Sequence, residues 1–231
     1  MRAVLFDLDD TLVDQETAAG AAVVSWAATL GITGPGVAAD WARIAEPHYA
    51  RYQRREITFT GQRRERVREF LAASPARHPG AVLTDEEADG LFAGYLERYE
   101  SGWAAFDDAV PALRHARATG LTVAVLTNGD EAQQRRKLDR TGLAAEIDVL
   151  VASSALPAGK PDPRAFRAAV DLLGVDASEA LMVGDSLDKD IRGALAAGLP
   201  AVLLDRHGVH AGAGVPTVRT LLDLAPHLGR A

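Results

Sequence analysis

The sequence predicts an α/β fold: a doubly wound parallel sheet interrupted by an all-helical insertion. Three observations carry that prediction. Nearly continuous apolar runs occur at Val4–Leu8, Leu121–Leu126, Ala180–Val183 and Ala201–Leu204, the pattern of strands buried on both faces in a parallel sheet. Beyond Phe106, helical segments separate these runs, and such alternation implies crossover connections. Residues 15–103, by contrast, read as helical throughout. The first strand must therefore pair with strands beyond the insertion. The core is expected to be residues 1–14 with 104–231, and the insertion 15–103.

In chain order, Asp14 is a plausible N-cap for a helix over Glu16–Leu30, with Ala22, Val23, Trp26 and Ala27 at helical spacing and Gly31 as its stop. Helices are predicted over Val37–Tyr52 and Gln62–Ala73, then a loop at 74–84 containing Pro75, Pro79 and Gly80. Thr84 and Glu87 form a capping-box pattern that opens a helix through Leu91 and Leu96. A helix through Val110, Leu113 and Ala116 precedes the second strand. Helix Glu131–Arg140, strand Asp148–Ala152, helix Pro163–Leu173 and strand Ala180–Val183 follow. Helix Asp188–Ala197, strand Ala201–Leu204, a short edge strand at Val215–Val218 and helix Leu221–Leu228 complete the chain.

Composition narrows the function classes. At 231 residues, 48% hydrophobic and 25% charged, the chain can bury a substantial core. Its net charge of −7 argues against nucleic acid or an anionic membrane as the main partner. The absence of cysteine excludes disulfides, thiolate metal sites and cysteine nucleophiles. No apolar run approaches the roughly 18 residues of a membrane helix, and the N-terminus lacks the apolar core of a signal peptide. A soluble, cytoplasmic protein is expected.

In doubly wound sheets, ligands sit at the carboxyl ends of the strands. The first strand ends in Asp7-Leu8-Asp9-Asp10-Thr11. Were Val4–Leu8 a strand, Asp7 and Asp9 would share one side, roughly 6.5 Å apart along the backbone. Acids this close repel and lose hydration, and a divalent cation is the usual compensation. The second strand ends in Thr127-Asn128-Gly129, a hydroxyl and an amide beside a permissive glycine. After the third comes Gly159-Lys160-Pro161-Asp162-Pro163, with Asp162 as N-cap and Pro163 at the first helical position, holding Lys160 near a positive helix end. The fourth ends in Gly184-Asp185-Ser186, with Asp188 and Asp190 following. Each strand end alone could be an ordinary turn, but all four together suit Mg²⁺ and a phosphate. No histidine, cysteine or activated serine stands in these positions, so an aspartate is the available nucleophile.

At these four motifs, in this order, the chain resembles the haloacid dehalogenase-like (HAD) hydrolase superfamily, with its Rossmann-like core. The insertion resembles that superfamily's helical cap of the first type. The resemblance implies that Asp7 attacks phosphorus and forms an aspartyl-phosphate. It implies that Asp9 protonates the leaving oxygen and later activates the hydrolytic water. Mg²⁺ would be held by Asp7, the Asp9 carbonyl, Asp185 and Asp190, the last directly or through water. Thr127, the Asn128 backbone and Lys160 would bind phosphoryl oxygens, and Thr11 would orient the site. The stretch Leu126–Leu143, with Gln133, Leu138 and Thr141-Gly142-Leu143, looks most like 5′-nucleotidases and N-acylneuraminate-9-phosphatases.

The expected activity is Mg²⁺-dependent hydrolysis of a small phosphomonoester, a nucleotide or sugar phosphate, by a monomer or homodimer. A sugar-phosphate mutase is the alternative on the same core. A 2-haloacid dehalogenase lacks the second acid that Asp9 supplies, and a silent binding module would have lost a nucleophile or metal acid. Within the insertion, Arg51, Arg54, Arg55, Arg63, Arg64, Arg66 and Arg68 read as a solvated helix face with local ion pairs rather than a positive rim. Trp26, Trp41, Phe59, Tyr95 and Trp103 read as core of that unit rather than a stacking platform.

Overall fold

The computed structural model describes residues 1–74 and 83–229, so the expected loop with Pro75, Pro79 and Gly80 falls mostly outside the described residues. Strand β1 covers Ala3–Phe6, and helices α1 (Gln15–Thr29), α2 (Val37–Gln53), α3 (Phe59–Ala72) and α4 (Asp85–Ser101) follow. The chain then alternates through α5 (Ala109–Ala118), β2 (Thr122–Thr127), α6 (Glu131–Arg140), β3 (Val149–Ala152), α7 (Pro163–Leu173) and β4 (Ala180–Gly184). Helix α8 (Gly193–Ala197), β5 (Ala201–Leu204), β6 (Thr217–Val218) and α9 (Ala225–Leu228) close it. Two compact units result, Met1–Asp14 with Ala104–Ala231, and Gln15–Trp103. Among the described residues no helix is long and apolar enough to cross a membrane.

The first unit is a six-stranded parallel sheet of order β3-β2-β1-β4-β5-β6. The order reverses at β1, whose Phe6 lies opposite Val125 of β2 and Val183 of β4. A crevice at the carboxyl end of β1 is therefore flanked by the ends of both neighbours. Period two sends Ala3, Leu5, Ala124, Leu126 and Met182 to one face, where Phe166 and Ala169 of α7 and Ala194 of α8 cover them. Val4, Phe6, Val123 and Val125 alternate with these and are equally buried, so both faces of the strands are dry.

Several boundaries differ from the sequence expectation, each for a local reason. Strand β1 stops at Phe6 rather than Leu8. Asp10 adopts a left-handed backbone (φ 63°), and the amides of Leu12 and Val13 both bond back to the Leu8 carbonyl. Asp7 still donates its amide to Val183 O at 2.9 Å, but Asp9 has left the strand and strand alternation does not place it. The helix expected over Asp188–Ala197 divides into a turn of wider π helix, Leu187–Arg192, and α8. Its cause is Ser186, whose carbonyl accepts from both Asp190 and Ile191. The edge strand shortens to Thr217–Val218. The last helix is a 3₁₀ turn, Leu221–Leu224, before the four-residue α9.

Among the described residues of the second unit every regular element is a helix. Thr84 accepts the Glu87 amide at 3.2 Å while Glu87 accepts the Thr84 amide at 2.8 Å, the expected capping box of α4. Helix α3 begins three residues before the expected Gln62 because Thr58 caps it through the Gly61 amide at 2.9 Å. Trp26, Trp41, Tyr95 and Trp103 are buried, and Trp26 and Trp41 pack against each other and against Phe70 and Tyr95 with ring centroids 4.8–6.0 Å apart. Each such pair adds roughly 0.5–1.5 kcal/mol beyond its area. Phe59 is only half-buried. The arginines divide by partner: Arg51 and Arg54 pair with Glu56, Arg64 with Asp85 and Asp89, and Arg68 with Glu65 and Asp85. Arg63 and Arg66 instead lie over aromatic rings, 4.2 Å from Phe59 and 4.5 Å from Trp41 respectively.

A partly buried ion pair links distant segments of the first unit. Arg206, after β5, chelates the Asp108 carboxylate at 2.8 and 2.9 Å and donates to Thr11 O at 2.9 Å. Burial works against the Asp108 charge, but donors from Arg206, Leu221 and Thr220 prevail and hold its carboxyl below the usual carboxylate range. A depressed folded-state pKa contributes stability above the unfolded value, near pH 3.9, and that stability is lost as pH falls through the folded one. Asp108→Asn should therefore cost roughly 3 kcal/mol at pH 7 by leaving Arg206 uncompensated. Urea unfolding of both proteins at pH 7 and pH 3 should show the gap narrowing in acid.

Candidate active site

The carboxyl ends of β1, β2 and β4 and the loop before α7 converge on one cluster. Asp7 follows β1 directly and is buried. Lys160 is also buried, and its Nζ donates to Asp7 Oδ1 and Asp190 Oδ1, each at 2.6 Å. Its backbone is held from the β2 side: Asn128 Nδ2 donates to Lys160 O and Asn128 Oδ1 accepts the Lys160 amide, both at 2.8 Å. The Asn128 side chain is thus committed to positioning the lysine. Asp162 caps α7 through the Arg164 amide at 2.9 Å with Pro163 in the first turn, as the sequence predicts.

On the other side, Thr11 and Asp185 bond reciprocally: the Asp185 amide donates to Thr11 Oγ1 at 3.1 Å, and Thr11 Oγ1 donates to Asp185 Oδ1 at 3.2 Å. Asp190 Oδ2 accepts the Ser186 amide at 3.0 Å, which leaves Oδ1 for Lys160. Gly184 makes this possible, since a Cβ there would overlap the Asp190 carboxyl. Asp188 is exposed and pairs with Arg192 four residues on, so it plays no part in the cluster.

Asp7, Asp185 and Asp190 can each present an oxygen such that all three lie within 4.8 Å of one another. Burial, opposed by Lys160 and reinforced by Asp190, Asp185 and Asp9, pushes the Asp7 carboxyl well above its ordinary pKa. Burial and then Asp190 raise Asp185 likewise. Burial opposes the charge of Lys160, yet Asp190 and Asp7 outweigh it and raise its pKa. One ammonium therefore does not balance three carboxylates, and an all-oxygen set with excess negative charge suits a hard divalent cation such as Mg²⁺.

Asp9 lies apart from this triad. Its Oδ1 accepts from Lys137 Nζ and its Oδ2 from Gln134 Nε2 at 3.2 Å, both on α6. Gln134 also donates to Thr127 Oγ1 at 2.9 Å and lies 3.2 Å from Asn128 O. Thr127 is thus at the site, bridged to Asp9 by a residue that the sequence reading passed over. Gln133, which the resemblance singled out, donates its amide to the Asp130 cap at 3.0 Å. A signal for the buried pair does exist. Helix α6 carries only Ala132 and Leu138 as apolar residues, so packing it on a sheet must bury polar side chains, and Gln134 and Lys137 share a face with Leu138.

A family model described as haloacid dehalogenase-like hydrolase matches residues 1–198. The chain belongs to the haloacid dehalogenase-like hydrolase family. It is 34% identical to the phosphoserine phosphatase of Thermus thermophilus over 89% of both chains. Over a shorter stretch, 34% of this chain and 32% of the relative, it is 40% identical to the N-acylneuraminate-9-phosphatase of Rattus norvegicus, in line with the resemblance of Leu126–Leu143. Among solved structures, the magnesium-bound HAD hydrolase YfnB of Bacillus subtilis superposes with a TM-score of 0.83 at 22% identity, covering 98% of both chains. The 2-haloacid dehalogenase of Pseudomonas syringae superposes with a TM-score of 0.69 at 27% identity, over 99% of this chain and 97% of that one. The HAD fold is thereby established, and homologous enzymes of this family are phosphatases.

Because Gly184 alone leaves room for Asp190, Gly184→Ala should displace that carboxylate without disturbing the β4 ladder. Millimolar Mg²⁺ is expected to raise the melting temperature of the wild type, as any ligand of the folded state does, and to leave Gly184→Ala unmoved. Differential scanning calorimetry with MgCl₂ or EDTA measures both.

Proposed function

We propose that the protein is a Mg²⁺-dependent phosphomonoesterase that hydrolyses a small phosphorylated metabolite, a nucleotide or sugar phosphate, through an aspartyl-phosphate on Asp7. The observation that carries this reading is the separation of two acids at one strand end. Asp7 is gripped by Lys160 beside Asp185 and Asp190, whereas Asp9 is tethered to α6 outside that triad. Two carboxylates in unlike surroundings can take unlike roles, one nucleophile and one proton carrier.

Asp7, Asp185, Asp190 and the Asp9 carbonyl would hold Mg²⁺, which when bound offsets the charge of the phosphoryl group. Lys160 orients the Asp7 carboxylate and stands ready to bind a phosphoryl oxygen. The Thr127 hydroxyl accepts from Gln134 and donates to Asn128 O at 3.4 Å, a long bond that it can exchange for a second phosphoryl oxygen. The Asn128 backbone would assist at the same strand end, and Thr11 keeps Asp185 in place. Asp7 then attacks phosphorus as Asp9 gives its proton to the departing oxygen. The same Asp9, now a carboxylate, takes a proton from the water that opens the acyl phosphate.

The second unit, residues 15–103, acts in this proposal as the cap that selects the leaving group, because the core residues grip only phosphate. The phosphoserine phosphatase of T. thermophilus supports a small phosphorylated substrate. The structural likeness to a 2-haloacid dehalogenase does not redirect the reading, since Asp9 supplies an acid for which attack on carbon has no use.

A panel of nucleotides, sugar phosphates, phosphoserine, phosphoglycolate, an acylneuraminate phosphate and p-nitrophenyl phosphate, with Mg²⁺ or EDTA, tests the assignment. Phosphate release should require Mg²⁺, and 2-chloropropionate should release no halide. Asp7→Asn should abolish turnover with the fold intact by circular dichroism. Residual turnover in that variant would rule out the covalent route. Asp9→Asn should still bind phosphate while kcat falls about 10²–10⁴-fold.

A further inference from the structure

We propose that Lys137, with Gln134 beside it on α6, is the positioning residue for Asp9: it fixes where the proton carrier stands and keeps its carboxylate out of the cation site. The proposal rests on the phosphatase reading above. A lysine side chain normally runs along the surface and puts its charge in water. Lys137 does the opposite. It is 1% exposed between the exposed Arg135 and Arg136 and Leu138, and it spends its ammonium on a carboxylate that is itself partly open to the site.

Stability does not explain such a pair. Drawing two charges out of water costs about as much as their attraction returns, and apolar replacements of similar shape are often neutral or stabilising. What the pair does supply is geometry. Gln134, one turn earlier, meets the second oxygen of the same carboxylate, so each Asp9 oxygen has a donor from one rigid helix. Two donors fix the rotation of the carboxylate as well as its position, which one donor would not. They also draw it toward the β2 side, whereas the Asp7, Asp185 and Asp190 oxygens gather on the β4 side. Without Lys137, Asp9 would be a fourth anionic side chain free to turn toward a nearby cation and away from the leaving oxygen. Gln134 bonds to Thr127 at 2.9 Å as well, so one helix holds the proton carrier and a phosphate-binding hydroxyl in register.

Leaving-group dependence tests this role. An alkoxide needs a proton to depart and p-nitrophenolate does not, so misplacing Asp9 should penalise alkyl esters selectively. With Mg²⁺, kcat/KM of Lys137→Met should fall about 100-fold on O-phosphoserine or the fastest alkyl ester of the panel, and roughly tenfold or less on p-nitrophenyl phosphate. Inhibition by inorganic phosphate should stay near wild type, while the melting temperature should fall in Lys137→Met, which leaves the Asp9 carboxylate without its ammonium, and recover in Lys137→Arg. Lys137→Arg, which can still donate to a carboxylate, should recover part of the alkyl-ester activity. Arg135→Met, at an exposed pair with Glu131, should match wild type throughout. Equal losses on both esters, wild-type kinetics in Lys137→Met, or a loss that follows weaker phosphate inhibition would each overturn the proposal. A wild-type enzyme that hydrolyses neither ester overturns the phosphatase reading, and this inference with it.

Discussion

The ammonium of Lys160, bonded to Asp7 and Asp190 at 2.6 Å each, is the interaction on which the rest of the site depends. Two unit charges 4 Å apart interact by about 1 kcal/mol in water and about 4 kcal/mol at the effective dielectric of a protein. Buried carboxylates therefore need a partner at close range, and a surface cation would not serve. Much of the local structure delivers that one ammonium. Asn128 clamps the lysine backbone from the end of β2, Asp162 caps α7 just beyond it, and Gly184 leaves space for Asp190 to approach. The π turn after Ser186 belongs to the same construction, since it turns Asp190 inward while Asp188 stays in solvent.

Compensation within the cluster is incomplete. Asp7 and Asp185 are both pushed up, by burial first and then by their carboxylate neighbours. The cluster thus carries excess negative charge, which a bound cation would offset. Asp9 is held apart from the triad by separate donors on α6. The sheet order makes such a division possible: with β1 between β2 and β4, one side of its end faces α6 and the other faces the triad.

The helical unit draws its cohesion from a different source. Its arginines are engaged locally: Arg51 and Arg54 share Glu56, Arg64 and Arg68 pair with acids of α3 and α4, and Arg63 and Arg66 lie over aromatic rings. Exposed pairs of this kind contribute about 0–1 kcal/mol each, so the buried cluster of Trp26, Trp41, Phe70 and Tyr95 dominates the packing of the unit.

The sequence by itself determined the parallel core, the helical character of residues 15–103 and the residues at each strand end. Uninterrupted apolar runs, helical spacing and caps are local properties that neighbouring side chains decide. Helices α6 and α7 and strand β5 run between the residues their patterns predict. Tertiary structure alone decided how those strand ends act on one another. That Asn128 serves Lys160 through its side chain and that Asp9 is held by Gln134 and Lys137 both depend on contacts between residues far apart in the chain. A lysine in a charged run reads as solvated surface from its neighbours in sequence. Only the packing of α6 against the sheet places Lys137 in a dry interior where its charge requires a partner.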